Sequence, residues 1–335
     1  MRAPAPVSVL IAGVLLVSCS GGSKNAAPSP TPSATPSATP SPTPVPTDFL
    51  TGSTSIGRKS LVAIKIDNAP LARRFHQGLG RAAIVYQEIV EGGLTRFLAI
   101  YESDLAGAGE VGPIRSARGS DIEILRAFGK IPLGFSGGQP GVLSIFSRAA
   151  KRGWLIDASY DEIPSAYRLG AQRADARNFF AVPSTLASRR PGNGPRDIGL
   201  RFGTPLGGEA ASRATVAFSG QTRVGMVYNA AKGTYAISQN GVPTRGAAPA
   251  TVIVQRVVIK GSGFKDVNGF TTPRTITTGS GRVTVLRKGG SITGTWKRKG
   301  FGPTRFLDRR GRDIVLPAGP IWVLLMPTTG SISFR

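Results

Sequence analysis

A proline-rich stretch near the amino end of this chain cannot form a packed core and precedes the region that can. Residues 28–47 contain eight prolines among Ser, Thr and Ala residues. Such a sequence buries no apolar surface and lacks most backbone donors, so we expect residues 20–47 to form a disordered, semi-rigid linker. At about 3.1 Å per residue in an extended polyproline conformation, this linker would reach roughly 90 Å.

The residues before the linker have the pattern of a bacterial lipoprotein signal peptide. The apolar run over residues 7–17 is too short to span a bilayer and ends in the lipobox-like sequence Leu16-Val-Ser-Cys19. Cys19 is the one cysteine of the chain. We predict a signal peptide over residues 1–19 and lipid attachment, with diacylglycerol and palmitate-type acyl chains, at Cys19. The alternative is an ordinary secretory signal in which Cys19 occurs by chance.

Residues 48–335 are long enough to fold, and their charge is unevenly distributed. Residues 48–210 hold 21 Lys and Arg residues against 15 Asp and Glu residues, whereas residues 211–335 hold 19 against 3. A strongly basic surface usually indicates nucleic acid, but an exported protein meets other polyanions, such as wall polymers and phospholipid head groups. A uniformly basic surface without a specific partner is the alternative.

The first part of this region shows the pattern of a mixed α/β structure. Two strand-like runs flank Gly92-Gly93, which predicts a two-residue hairpin turn that pairs Ile89 with Arg96 and places Glu91 and Arg96 on one face. Ser120 and Glu123 form the pattern of a capping box, which predicts a helix over residues 121–128. We predict further strands over residues 61–67 and 131–135, and a helix over residues 142–149.

The second part consists of short strand-like runs separated by turn residues, which is typical of an antiparallel β structure. Residues 48–335 number 288, which is more than a single hydrophobic core usually supports, so we predict two domains. The predicted fold is an α/β or α+β N-terminal domain over residues 48–205, followed by a basic, mostly antiparallel β C-terminal domain over residues 206–335. Trp296 and Trp322 lie on apolar runs and are expected in the core.

The residue inventory excludes several classes of site. With His76 as the single histidine and one cysteine used for the anchor, the usual zinc sites and a cysteine nucleophile are excluded. The sequence has no Gly-x-Ser-x-Gly elbow, no Walker phosphate loop and no Rossmann fingerprint. We therefore predict no metal and no cofactor, and we name no catalytic residue.

Arginines and carboxylates remain as candidate binding residues. Arg115 and Arg118 come just before the predicted capped helix, and the guanidinium fork suits phosphate or carboxylate. Together with Arg96 they could hold a phosphate or pyrophosphate. Alternatively, the arginines hold internal carboxylates and tie the loop down. The full set of ligand-binding candidates is Asp67, Asn68, Glu88, Glu91, Arg96, Arg115, Arg118 and Asn178.

Several motifs match one known family. They include Val62-Ala-Ile-Lys-Ile-Asp-Asn68, Glu91-Gly-Gly-Leu-Thr-Arg96, Gly112-Pro-Ile-Arg-Ser-Ala-Arg118, Trp296-Lys297 and Thr304-Arg-Phe306. On these motifs the chain resembles the YerB-like lipoprotein family. The resemblance implies a two-domain, lipid-anchored envelope protein of unknown function. It also shows departures, since His76 stands where the family usually has Pro, and Ala176-Arg-Asn178 stands where it usually has Pro-His-Asn.

These observations leave two functional hypotheses. The first is a non-catalytic binding or scaffold protein on the outer face of the cytoplasmic membrane of a Gram-positive-type envelope. Its partners would be the membrane, through the diacylglycerol anchor, and an anionic wall polymer, a phospholipid or an envelope protein, but not nucleic acid. The alternative is an enzyme acting on phosphorylated envelope lipid or glycan, with the three arginines as clamps and Asp67 as base or metal ligand.

Overall fold

The structure is a computed structural model that describes residues 48–54, 60–102, 105–170, 179–266 and 268–335. The predicted signal peptide, the lipid attachment site Cys19, the linker and the candidate Asn178 lie outside the described residues. Within these ranges, no helix combines the length and the apolar character that a membrane crossing requires.

The first segment, residues 48–205, alternates short strands with helices, as the sequence predicts. The apolar run from Val62 forms the first strand, and the spacing of Val142, Phe146 and Ala149 puts the apolar face of the second helix against the core. The helices are α1 (Gly119–Leu125), α2 (Pro140–Lys151) and α3 (Pro183–Arg189). The strands are β1 (Val62–Asp67), β2 (Ile84–Ile89), β3 (Thr95–Tyr101), β4 (Pro132–Gly134), β5 (Ile156–Asp157), β6 (Tyr167–Leu169), β7 (Phe179–Ala181) and β8 (Arg201–Phe202).

The second segment, residues 206–335, is built from strands, and most neighbouring strands pair antiparallel. Every strand-like run of the sequence forms a strand here, usually with longer bounds. They are β9 (Glu209–Ala210), β10 (Arg213–Ala217), β11 (Arg223–Asn229), β12 (Thr234–Gln239), β13 (Val242–Pro243), β14 (Thr251–Lys265), β15 (Thr271–Ile276), β16 (Gly279–Arg287), β17 (Gly290–Arg298), β18 (Arg305–Asp308), β19 (Val315–Leu316), β20 (Ile321–Pro327) and β21 (Ser331–Phe334). The predicted fold class of both segments is confirmed.

One large sheet contains strands of both segments. Its strand order is β18-β17-β16-β14-β20-β2-β3-β1-β4-β5, with β15 added to the outer half of β14 and β9 added to β17. The junction is a parallel pairing of β2 with β20, in which Ile84 lies opposite Ile321 and Glu88 opposite Leu325. The two segments therefore share backbone hydrogen bonds, and the boundary at 205/206 stays a prediction.

Two cores lie on opposite faces of this sheet rather than in separate segments. On one face, Leu98 and Leu325 pack with Phe128 and Phe146 of the α1–α2 region. On the other face, Phe97 and Trp322 pack with Val216 and Met226 of a five-stranded sheet of order β13-β12-β11-β10-β21. Each core draws on both segments, because alternate residues of a strand point to opposite faces. Trp296 and Trp322 are each 2% exposed, which confirms their predicted place in the core.

The turn between β2 and β3 differs from the predicted hairpin. Glu91–Gly93 forms a three-residue 3-10 turn whose two glycines have φ values of 65° and 73°. The strands then pair Ile89 with Thr95 and Glu88 with Arg96, so the predicted register is wrong by one residue. A slip of one residue exchanges the two faces of a strand, which is why Glu88 and not Ile89 lies opposite Arg96.

The start of α1 also differs from the prediction. The helix begins at Gly119 with Arg118 as its N-cap, and the Arg118 N–H donates to Asp121 Oδ2 at 2.7 Å. Ser120 does not cap the helix because its hydroxyl donates to Glu88. The helix ends at Leu125, three residues before the predicted end. Tertiary partners thus engage the side chains on which the local signal depended.

The shared sheet predicts that both segments unfold together. Leu324 of β20 is fully buried, so Leu324→Ala should lower the free energy of unfolding by about 2–5 kcal/mol. Far-UV circular dichroism and tryptophan fluorescence should report one common transition, shifted as a whole. The control Val242→Ala, at a position 53% exposed, should change stability by about 0.5 kcal/mol or less. Two separate transitions, only one of them shifted, would contradict this expectation.

Candidate functional site

An open cleft of about 800 Å³ lies where the ends of β1, β2 and β3 meet the loops before α1 and α2. We call it the arginine cleft, because three arginines are among the residues that line it. The turn between β14 and β15, which belongs to the second segment, forms a further wall. The cleft is lined by Asp67, Ala69, Val90, Glu91, Gly92, Leu94, Thr95, Arg96, Arg115, Ser116, Arg118, Ser136, Gly137, Gly138, Gln139, Pro140, Lys265, Asp266, Asn268 and Phe270.

Arg115 is held in place by backbone hydrogen bonds between its loop and β1. Its N–H donates to the Lys65 carbonyl at 2.9 Å, and the Asp67 N–H donates to the Pro113 carbonyl at 2.8 Å. The Arg115 side chain is 38% exposed, and its Nε lies 3.3 Å from Asp67 Oδ2. The pair is long and its arginine is exposed, although the Asp67 side chain is only 12% exposed, so the carboxylate occupies only part of the guanidinium's binding capacity.

Arg118 is more fully engaged than Arg115. It forms an ion pair with Glu91, in which both side chains are less than a tenth exposed, and its Nη1 donates to the Ala117 carbonyl at 2.9 Å. Burial by itself would raise the pKa of Glu91, but the charge and hydrogen bond of Arg118 outweigh it, and the pKa is lowered. Glu91 therefore stays ionised at neutral pH and neutralises Arg118.

Arg96 has no such carboxylate. It lies on β3 between Asp67 of β1 and Glu88 of β2 in the strand register, and its Nη1 donates to the Ser116 carbonyl at 3.0 Å. Among the described residues, no carboxylate oxygen lies within ion-pair distance of its guanidinium. Burial, followed by the charge of Arg118, lowers the pKa of Arg96 to about 10, so it remains a cation at neutral pH.

A fully buried ionic cluster supports the floor of the cleft. The Lys65 ammonium donates to Glu88 and, at 2.6 Å, to Asp121 Oδ1, and all three side chains have no exposed surface. Ser120 also donates to Glu88. Because Asp121 Oδ2 accepts the Arg118 N–H, the cluster fixes the backbone at one of the cleft arginines. Such a buried group of charges is stable only while its members remain paired.

The cluster holds one carboxylate more than its single lysine can neutralise. Burial raises the pKa of Asp121 to about 7, and the neighbouring Glu88 acts in the same direction against Lys65. For Glu88, burial would raise the pKa, but the charge of Lys65 outweighs it and the pKa is lowered. Glu88 is thus the ionised partner of Lys65, and Asp121 is the group that takes up a proton first.

The structure brings together five of the sequence candidates and removes two. Asp67, Glu91, Arg96, Arg115 and Arg118 line the cleft. Glu88 and Asn68 are fully buried and reach no open surface. Their selection as ligand contacts is therefore corrected, because Glu88 belongs to the Lys65 cluster and Asn68 donates to Thr95 and Gln239. Asn178 lies outside the described residues.

His76 is a core residue. It is 1% exposed, its Nε2 lies 2.7 Å from the Asp67 carbonyl, and burial lowers its pKa. Within the described ranges, no group of three or more His, Cys, Asp or Glu side chains is arranged to hold a metal ion.

Sequence reasoning missed Lys65, Asp121 and the β14–β15 turn. A lysine inside an otherwise apolar strand run, Val62-Ala-Ile-Lys-Ile, is a signal that could have indicated Lys65, because a buried lysine needs carboxylate partners. No local signal could have placed the β14–β15 turn at the cleft, since it lies about 150 residues farther along the chain.

The raised pKa of Asp121 predicts how stability depends on pH. The pKa is about 7 in the folded protein and roughly 3.9 in an unfolded chain, so the folded state binds this proton more tightly. The contribution of Asp121 to the free energy of unfolding is therefore full below about pH 4 and is lost as the pH rises through about 7. Asp121→Asn removes this titration, so the stability gap between wild type and variant should narrow from pH 5 to pH 8.

Urea denaturation at several pH values would measure this gap. The matched control is Asp197→Asn. The Asp197 carboxylate is half-exposed and paired with Arg201, and its pKa is lowered. Its stability gap should stay constant between pH 5 and pH 8, because both states are already ionised there. A constant gap for Asp121→Asn as well would contradict the assignment of the extra proton to the buried cluster.

Comparisons with known proteins agree with this architecture. The N-terminal domain of the protein of unknown function DUF3048 matches residues 50–196, and its C-terminal domain matches residues 214–323. A segment of 70 residues is 41% identical to the Bacillus subtilis (strain 168) protein named "Putative lipoprotein YerB"; it spans 21% of this chain and 20% of that protein.

A solved structure extends the comparison to the whole fold. The crystal structure of the YerB protein from Bacillus subtilis matches with a TM-score of 0.72 at 21% identity, covering 86% of this chain and 99% of that one. At that identity the likeness concerns the fold. The two family matches together cover most of the chain, which confirms the resemblance seen in its motifs. The chain therefore belongs to the YerB-like family of DUF3048 proteins.

Proposed function

We propose that this protein is a non-catalytic, lipid-anchored protein of the cell envelope that binds an anionic, phosphate-bearing ligand in the arginine cleft. The observation that carries the proposal is Arg96, a cation without a carboxylate partner among the described residues, in an accessible cleft beside the loosely paired Arg115. The cleft lining holds four cations, the three arginines and Lys265, and three carboxylates, Asp67, Glu91 and Asp266, so one positive charge is left for a ligand.

The energetics favour a phosphate at Arg96 and Arg115 over one at Arg118. The Arg118–Glu91 pair is buried, and breaking it would leave a buried charge without a partner. The Arg115–Asp67 pair is long, at 3.3 Å, and its arginine is exposed, so it contributes about 0–1 kcal/mol. A phosphate offers several charged acceptors to the guanidinium fork, and such charge-assisted bonds are roughly twice as strong as neutral ones. It can therefore compete with Asp67 for Arg115.

The second segment adds a basic surface that suits an anionic polymer or phospholipid. Lys297 of β17 lies opposite Ser280 of β16, and Arg282 lies two residues farther along β16, so both cations stand on one face of neighbouring strands. Both side chains are exposed, and among the described residues neither forms an ion pair. Contacts of this kind weaken as the salt concentration rises.

The proposed location rests on the amino end of the chain. The lipobox-like sequence at Cys19 predicts diacylglycerol attachment, and the Bacillus subtilis relative carries the word lipoprotein in its name. A diacylglycerol anchor holds a protein almost permanently in a bilayer, since each buried CH₂ contributes about 0.8 kcal/mol. Together these points support anchoring on the outer face of the cytoplasmic membrane, with the folded part held away by the linker.

The second candidate function is an enzyme that acts on phosphorylated envelope lipid or glycan. One observation favours it: the Asp67 carboxylate opens into the same cleft as the arginines and could act as a base. The two functions differ in what Asp67 does. In a binding protein Asp67 repels the anion, whereas in an enzyme it is required for turnover.

Arg115→Ala should weaken binding of inorganic pyrophosphate to the full chain by about tenfold or more, because a lost hydrogen bond between charged groups costs about 1.5–3 kcal/mol. Isothermal titration calorimetry measures the affinity. The melting temperature should fall by less than about 3 °C, because the pair lost with Arg115 is long and the Arg115 side chain is exposed. The matched control is Arg190→Ala, which removes an ion-paired arginine of similar exposure, 41%, outside the cleft lining.

A large drop in melting temperature for Arg115→Ala would instead mark Arg115 as a structural tie and contradict the proposal. The same titration with Asp67→Asn separates the two functions. Removal of the like charge should tighten pyrophosphate binding if the protein only binds. Pyrophosphate or phosphomonoester hydrolysis that Asp67→Asn abolishes would establish the enzyme.

Replacement of Cys19 tests the anchor. The full chain, expressed with its own amino end in a Gram-positive host, should incorporate a labelled palmitate analogue and sediment with membranes. Cys19→Ala should abolish the label and release the protein into the soluble or secreted fraction, because the described residues offer no helix that could replace the acyl chains. The control Ser20→Ala should retain the label. Membrane sedimentation of an unlabelled Cys19→Ala variant would contradict the anchor.

A further inference from the structure

The turn between β14 and β15 brings side chains to the arginine cleft that an inorganic anion does not need. Lys265, Asp266, Asn268 and Phe270 all line the cleft. Asp266 accepts the backbone N–H groups of Asn268 and Phe270 at 2.9 and 2.8 Å, which fixes the shape of the turn. Phe270 is 55% exposed, slightly more than Phe49 at 51% and Phe334 at 42%.

The hairpin that carries this turn is fixed against both helices beside the cleft. The ring of Phe264 packs so closely on Gly141 of α2 that a Cβ added to this glycine would lie 2.3 Å from it. Arg274 of β15 forms an ion pair with Glu123 of α1, with its Nε 2.9 Å from the carboxylate. Phe270 is thus held in a defined position relative to the arginines.

The size of the cleft indicates a ligand larger than a phosphate. Its volume of about 800 Å³ falls in the range of about 300–1,000 Å³ that is usual for organic ligands. A phosphate bound by Arg96 and Arg115 would fill a small part of that space. The remainder is bordered by the Gly137-Gly138 loop, Gln139 and the β14–β15 turn.

The chemistry of that remaining wall is mixed. Gln139 uses its Oε1 to accept the Val142 N–H at 3.1 Å, which leaves its amide NH₂ group available. Asn268 is exposed and adds a second amide. Phe270 supplies one apolar ring face. Amides next to a single accessible ring match a sugar, whose hydroxyl groups need hydrogen bonds and whose C–H face needs an apolar surface.

An acyl or isoprenoid chain fits this wall less well. The apolar side chains among the lining residues are few, and one of them, Val90, is buried. Besides Val90, only Leu94, Pro140 and Phe270 among the lining side chains are apolar groups larger than a methyl. A long hydrocarbon chain would therefore remain largely in water, at a cost of about 25 cal/mol for each Å² left uncovered.

We propose that the arginine cleft binds a phosphorylated sugar, with the phosphate at Arg96 and Arg115 and the sugar ring against Phe270. This inference rests on the proposed function and names the class of ligand for the same site. Gln139 and Asn268 hydrogen-bond the sugar hydroxyls. The first segment thereby supplies the charge, and the second segment supplies the ring contact.

Calorimetric titration of the full chain in detergent tests the proposal. The probes are inorganic phosphate, a panel of hexose 1-phosphates that includes glucose 1-phosphate and N-acetylglucosamine 1-phosphate, and dihexanoyl phosphatidic acid. At least one hexose 1-phosphate should bind tenfold or more tightly than phosphate and than the lipid. Phe270→Ala should remove that margin and leave phosphate affinity unchanged, whereas Arg115→Ala should weaken binding of every probe.

The control Phe334→Ala removes an aromatic ring of similar exposure, 42%, on β21 outside the cleft lining, and should leave all affinities unchanged. Equal affinity for phosphate and every hexose 1-phosphate, or a margin that survives Phe270→Ala, overturns the sugar assignment but not the anion site. Tighter binding of the lipid does the same and assigns the cleft to a lipid phosphate. If no probe binds, both proposals fail.

Discussion

The parallel pairing of β2 with β20 is the contact on which the rest of the structure depends. It joins β3, β1 and β4 of the first segment to β14, β16 and β17 of the second, so both segments bury their apolar side chains against one sheet. A buried network of amides crosses the same junction, since Gln87 of β2 exchanges hydrogen bonds with Gln239 of β12 and accepts the indole N–H of Trp322. Buried amides cost free energy unless they are hydrogen-bonded. The junction therefore requires these particular partners in addition to apolar packing.

The arginine cleft is a consequence of that junction. The sheet aligns Asp67, Arg96 and Glu88 in one row across three strands, and the loop before α1 adds Arg115 and Arg118 above it. Glu88 of this row and Asp121 are both buried, and the single Lys65 can neutralise one of the two carboxylates. Because Asp121 accepts the Arg118 N–H, the protonation of Asp121 is coupled to the backbone at Arg118. The cleft is therefore nearly balanced in charge, and its capacity for an anion comes from the particular arginine that no carboxylate reaches.

Local patterns misled where residues distant in sequence compete for the same hydrogen-bonding groups. The Gly92-Gly93 pair signalled a two-residue turn, but Ser219 and Thr222 donate to the Gly93 carbonyl and the turn takes three residues. Ser120 had the spacing of a helix cap, but it donates to Glu88. In both cases the competing partner is distant in sequence and forms a hydrogen bond that is at least partly buried, which outweighs the modest preference of a local motif.

The sequence by itself determined the main strands of both segments, two of the three described helices, the family and the presence of several arginines near one helix start. These follow from apolar periodicity and from strings such as Gly112-Pro-Ile-Arg-Ser-Ala-Arg118, which are local properties of the chain. Only the tertiary structure decided that Arg118 is neutralised by Glu91 while Arg96 is not, and that Phe270 lies at the same cleft. The reason is physical: the partner of a charge depends on strand register and on burial, and a register shift of one residue exchanges one carboxylate for another.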